Sequence, residues 1–157
     1  MSILSCIKNL IHCLMNNSTL SANHFTVQWG GSRIDFTEVS GLSIEYDLIN
    51  YRGGASGETT VSTMPGLRKE NTIILKRCIS RGDNEFFEWI SSNHFNSAQK
   101  RDLLISLLNE LHEPVMTWKV KNAWPVKLEG PVLKADASEV AIETLQLVHE
   151  GISVENI

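Results

Sequence analysis

The sequence predicts a mainly β domain carrying one short helix, and three observations lead there. Leu42, Ile44, Tyr46 and Leu48 alternate with Ser43, Glu45 and Asp47, the period of two that gives a strand one apolar and one polar face. Met116, Trp118, Val120, Trp124, Val126 and Leu128 keep that alternation over a longer stretch, with Asn122 the one polar residue in the apolar set. Phe86, Trp89 and Ile90 instead meet at i, i+3 and i+4, so they define a short helix that is stable only when packed on a sheet. This aromatic stripe reads as a core plug rather than a cofactor site.

Length and charge bound the rest. A chain of 157 residues is normally one domain and buries about 70% of its unfolded surface. Fourteen basic against 18 acidic residues give a formal charge of −4, and Lys119, Lys121 and Lys127 are spread along a polar face. Direct binding to duplex nucleic acid, which needs clustered Lys and Arg, is not expected. Cys6, Cys13 and Cys78 have no paired spacing, which fits a reducing site of synthesis, the cytoplasm.

In chain order, Ile3, Ile7, Leu10, Ile11 and Leu14 fall at helical spacing within Ile3–Met15. The run is too short for a bilayer, is interrupted by Lys8, Asn9 and His12, and has no cleavage site, so it reads as an amphipathic helix and not a membrane anchor. With the polar linker that follows, residues 1–22 form an N-terminal extension to a domain spanning 23–157. Phe25, Val27 and Trp29 make a first strand, Gly30-Gly31 a tight turn, and Arg33 to Val39 a second strand with Ile34 and Phe36 in phase. Val39-Ser40-Gly41 disturbs the alternation and suggests a bulge. After the Leu42–Leu48 strand a long loop is expected from Arg52 to Leu67, made pliable by Gly53, Gly54 and Gly57 and stiffened on its return, past Met64, by Pro65 and Gly66.

Thr72 to Ile79 reads as a strand with Ile73, Leu75 and Ile79 on one face, and Asp83 as the N-cap of the Phe86–Ile90 helix. Leu103 to Leu108 is an apolar run taken as strand. Met116 to Glu129 is one long strand, or two joined in phase, with Pro125 at an edge or bulge. The C-terminal block is ambiguous. Asp136, Glu139 and Gly151 stand where helix caps would, and residue pattern alone leans to a helix over Ala137–Glu150; a strand would set Leu145, Leu147 and His149 on one face.

Catalytic motifs fail at identifiable residues. The glycine-rich stretch at Gly53–Thr60 lacks the lysine of a phosphate-binding loop, and Glu58 stands where a nucleophile elbow around Ser56 needs its second glycine. His112-Glu113 and His149-Glu150 begin like a zinc motif, but Met116 and Ser153 occupy the second histidine position. Cys6, His12 and Cys13 are better explained by an apolar helix face than by a metal. No enzyme activity, metal or cofactor is expected.

Five blocks in matching order carry a resemblance: F-T-E-V-S-G-L at Phe36–Leu42, Y-R-G-G at Tyr51–Gly54, P-G-L-R-K at Pro65–Lys69, W-P-V-K-L-E-G-P at Trp124–Pro131 and E-V-A-I-E-T-L-Q-L-V-H-E-G at Glu139–Gly151. From about Phe25 onward the chain resembles the inner tube protein of contractile injection systems, a phage tail-tube-like family that includes the tubes of extracellular, phage-derived injection particles. The resemblance implies a β-barrel or sandwich with one flanking helix, assembling as hexameric rings that stack into a hollow tube. It also implies that Val140–His149 is a strand, which reverses the helical reading.

On that reading the tube is driven through a target envelope when a contractile sheath shortens. Its partners are further copies of itself, the sheath, baseplate and spike proteins, a tube terminator and lumenal cargo. It would be made in the bacterial cytoplasm and built into a phage-tail-like particle. Leu42, Ile44, Tyr46, Leu48, Trp118, Val120 and Trp124 are expected in the core or barrel. Ser43, Glu45 and Asp47 are expected to line the lumen or a subunit contact, and Arg52, Gly53, Gly54, Gly57, Met64, Pro65 and Leu67 to reach the next ring. The tube of a contractile-tailed phage or of a type VI secretion apparatus is the near alternative. A monomeric β-barrel binding a small ligand against its Trp-rich face is the distant one.

Overall fold

The computed structural model describes residues 20–30, 32–51, 62–94, 97–136 and 138–156. The helix expected over Ile3–Met15, with Cys6, His12 and Cys13, lies outside the described residues, as do Arg52, Gly53, Gly54 and Gly57. The strands are β1 (Phe25–Trp29), β2 (Ser32–Ile34), β3 (Glu38–Ser40), β4 (Ile44–Tyr51), β5 (Ser62–Glu70), β6 (Ile73–Cys78), β7 (Arg101–Leu108), β8 (Pro114–Glu129), β9 (Ile142–Val148) and β10 (Gly151–Asn156), and one helix, α1, spans Glu85–Ser91.

Eight strands form one antiparallel sheet in the order β2–β1–β7–β8–β9–β6–β3, with β10 also paired to β8, while β4 and β5 pair only with each other. Val27 and Trp29 of β1, Leu103 and Ile105 of β7, Ile73 and Leu75 of β6, and Leu145 and Leu147 of β9 meet in a single core, so the sheet folds over on itself as a sandwich. Among the described residues β2 and β3 exchange no backbone bonds, and the expected barrel is therefore an open sheet. The expected second strand also divides into β2 and β3 on either side of Asp35–Thr37.

α1 closes the core with Phe86 and Trp89, both fully buried, while Ile90 is partly exposed. Trp29 stacks on Phe86 at 5.3 Å and meets Trp89 edge-on at 4.3 Å, geometries that add to the area buried. Each indole N–H is satisfied, Trp29 by the Glu85 carboxylate at 3.0 Å and Trp89 by the Gln99 carbonyl at 2.8 Å. The helix starts at an Asn84 cap with no side-chain bond, and Asp83 instead accepts from the Glu85 N–H at 3.0 Å.

Arg77 was not anticipated in this core. It continues the inward face of Ile73 and Leu75, whereas Ile79, expected there, lies beyond the end of β6 and is exposed. The guanidinium, 4% exposed, lies 3.7 Å from the Phe86 ring centroid, donates Nε–H to Glu143 and grips Asp83 through both terminal nitrogens.

β8 runs 16 residues, but not in one phase. Val120 is buried, then Ala123 and Pro125 turn inward in place of Asn122 and Trp124, and Leu128 restores the original side. Asn122 makes the first switch with a left-handed backbone, φ 51°, and a register shift between Pro125 and Lys127 makes the second. Val126, in the expected apolar set, is therefore exposed. β9 and β10 lie along β8 in one register, Val148 opposite Trp124 and Gly151 opposite Lys121. They are a single strand with an irregularity at His149–Glu150, and the helix that residue pattern favoured over Ala137–Glu150 is not formed.

Candidate assembly interface

The β4–β5 hairpin stands apart from this body, as an arm. Ile44, Tyr46 and Leu48 are about half to three-quarters exposed, which corrects their assignment to the core. Leu42, at the arm's root, is partly buried against the core, as is Trp118; Val120 is fully buried and Trp124 is half-buried beside Pro125 and Val148. The other face of β4 also carries exposed apolar residues, Ile49 and Tyr51. Both faces are thus apolar, and the signal was readable: Ile49 and Tyr51 extend the apolar run past Leu48 in the opposite phase.

β5 corrects a second expectation. Met64, Pro65 and Leu67 are not loop residues but part of a nine-residue strand, with Leu48 opposite Pro65 and Ile49 opposite Met64. The register slips between Tyr46 and Leu48, adding one residue to β5 at Gly66–Leu67. This bulge accommodates Pro65, which has no N–H to give a ladder. Leu67, 81% exposed, is among the most accessible apolar side chains described.

The polar residues of β4 are less acidic in context than alone. Lys69 lies opposite Glu45 and bonds Asp47 at 2.5 Å. The bond to Asp47, with the charges of Asp47 and Glu45, holds the Lys69 ammonium pKa above its usual value. Ser43, at the root, accepts from the Asn71 amide at 2.7 Å.

A second exposed apolar stretch, 130–142, joins β8 to β9 and displays Val132, Leu133 and Val140. The described residues contain no group of three or more His, Cys, Asp or Glu placed to hold a metal. No helix among them is long and apolar enough to cross a membrane.

Residues 21–153 match the family model described as T4-like virus tail tube protein gp19. The chain belongs to the tail tube family. It is a structural tube subunit, and its mainly β fold with one short helix superposes on solved chains of contractile injection systems. A chain of an extracellular contractile injection system, described as the PVC sheath-tube complex in the extended state, is 32% identical and superposes with a TM-score of 0.84 over 93% of this chain and 97% of that one. A chain of the anti-feeding prophage tube terminating cap is also 32% identical, with a TM-score of 0.84, over 90% of this chain and 93% of that one. Hcp1 from Flavobacterium johnsoniae, at 19% identity and a TM-score of 0.50 over 85% of this chain and 95% of that one, shares the fold alone. No curated protein sequence matches the chain. The family match favours the tube over the small-ligand barrel, and Trp29, Phe86, Trp89 and their aliphatic neighbours pack into the core of this tail tube subunit.

Proposed function

We propose that this tail tube subunit assembles into hexameric rings that stack into the hollow inner tube of a phage-tail-like contractile injection particle. The observation that carries the reading is the β4–β5 arm. A two-stranded hairpin with apolar side chains on both faces is marginal in water, and a second copy alongside gives its edges a partner and its side chains cover. Side-by-side arms close a ring and remove exposed edges, the solution closed symmetry favours.

In this assembly Ser43, Glu45 and Asp47 face the lumen or the adjoining subunit. Met64, Pro65 and Leu67, with Arg52, Gly53, Gly54 and Gly57, reach the next ring, and Val132, Leu133 and Val140 form a second contact. The similarity to chains of a sheath-tube complex and of a terminating cap supports a sheath and a terminator as partners; a baseplate with its spike and a lumenal cargo complete the proposed particle. The particle is built from chains made in the bacterial cytoplasm. The role is mechanical and calls for no catalysis.

The double variant Leu48→Asp, Leu67→Asp tests the arm. Both positions are exposed in the single chain, so its thermal midpoint should stay within about 2 °C of the parent's, in line with surface substitutions. Rings and tubes should disappear from negative-stain images. Normal tubes from the double variant would overturn the reading.

A further inference from the structure

The β5–β6 and β9–β10 strands run antiparallel and pair only in part. β6 and β9 are hydrogen-bonded with Ile73 opposite Leu147, and there the ladder stops. Continuing the same register would set Arg68 of β5 opposite Ile152 of β10. These are the residues that still touch: the Arg68 guanidinium donates to the Ile152 carbonyl at 3.1 Å, although β5 has peeled away from β10. β10 has β8 along one side and, among the described residues, no strand along the other.

The departure point has the features of a hinge. Gly41–Ser43 and Asn71–Thr72, where the arm leaves the sheet, belong to no strand. Gly41 takes φ +85°, and a side chain there would begin 2.1 Å from the Thr72 carbonyl oxygen. The Ser43 N–H donates to the Gly41 carbonyl at 2.9 Å, and Asn71 reaches across to Ser43. The two hinge segments are thus bound to each other, so that the arm can turn as one piece.

We propose that the β4–β5 arm is a strap with two positions: in the free subunit it closes, β5 pairing with β10 in the continued register, and in the tube it stands open. Arg68 and Ile152 form the first rung of the closed ladder and hold the strap in register while it is open. Closure adds a third strand to a marginal hairpin and covers the free edge of β10, which otherwise invites unspecific pairing. A neighbour's surface must then displace β10 from β5, so closure restrains premature polymerisation. This last consequence rests on the tube reading; the closure itself does not.

The test places cysteines at Leu67 and Ser153, which face each other in the continued register, in a chain whose Cys6, Cys13 and Cys78 are serine. Both sites are exposed, so folding is preserved. In dilute, unassembled protein with mild oxidant, the Leu67→Cys, Ser153→Cys pair should form its internal disulfide about tenfold faster than a Leu67→Cys, Val154→Cys control, because pairing raises the effective concentration of facing thiols. The oxidised form should assemble about tenfold more slowly than the reduced form, with the rate restored by reductant, if the free edges are what assembly consumes. Equal oxidation rates for the two pairs, or no disulfide in either, would overturn closure. Unimpeded assembly of the oxidised form would overturn the restraint. Should the parent chain itself form no rings, the tube reading fails while the ratio of oxidation rates still decides whether the strap closes.

Discussion

Arg77 shows how single residues carry this fold. It is almost fully buried, held by Glu143 and Asp83, and sits 3.7 Å from the centre of the Phe86 ring. Removing one partner of a buried pair leaves the others uncompensated, a loss of about 3–5 kcal/mol in the general case. Arg77→Ala should fall near the lower end, about 3 kcal/mol, since Asp83 is exposed enough to regain water; chemical denaturation measures it. Asp83 predicts an acid response as well. The Glu85 N–H, with help from Arg77, holds its carboxyl pKa below the usual value. A depressed carboxylate contributes stability above its unfolded pKa and loses it as pH falls through the folded one. Stability should therefore begin to drop as pH falls past the ordinary aspartate pKa of about 3.9, and Asp83→Asn should flatten that part of the curve. An unchanged acid slope in the variant would count against the contact.

At the scale of elements, the strands were legible and their environments were not. Alternation located β1, β4 and β8, and a continuous apolar run β7, while β5 was read as loop; but the same pattern in Ile44, Tyr46 and Leu48 serves a strand on its own core and a strand awaiting a neighbour. Only Ile49 and Tyr51, apolar in the opposite phase, set the second kind apart here. Asn122 did mark a break in β8, since a polar residue in an apolar phase is where a bulge costs least; that the strand would switch faces twice depended on its pairing with β9, a long-range fact. Arg77 was missed because a charged residue in phase with Ile73 and Leu75 ordinarily ends a buried face, and one of its two carboxylate partners, Glu143, lies far along the chain. The helical reading of Ala137–Glu150 failed because cap-like residues carry less weight than the ladder β8 offers along its whole length. Gly41 is an element-scale test. Gly41→Ala places a methyl against the Thr72 carbonyl in a left-handed backbone, and it should cost at least about 2 kcal/mol, read from the shift in denaturant midpoint. A neutral substitution would show that the arm's root is not tightly packed.

For the whole molecule, the division between a filled core and an uncovered arm makes assembly the natural completion of the fold. The body packs around Trp29, Phe86 and Trp89, while Leu48 and Leu67 of the arm and Val132, Leu133 and Val140 of the 130–142 connection are among the most exposed apolar residues described. A stable monomer would have to keep these in water. The central claim is that the chain completes itself by ring closure with its own copies, and the mass of the purified protein by light scattering, with negative-stain images of the same fraction, tests it most directly. Six copies of a 17.6 kDa chain give about 106 kDa for a closed ring, and the account predicts that mass or larger stacked species, with a central hole in the images. A species that stays at 17.6 kDa at high protein concentration, without rings, would contradict it.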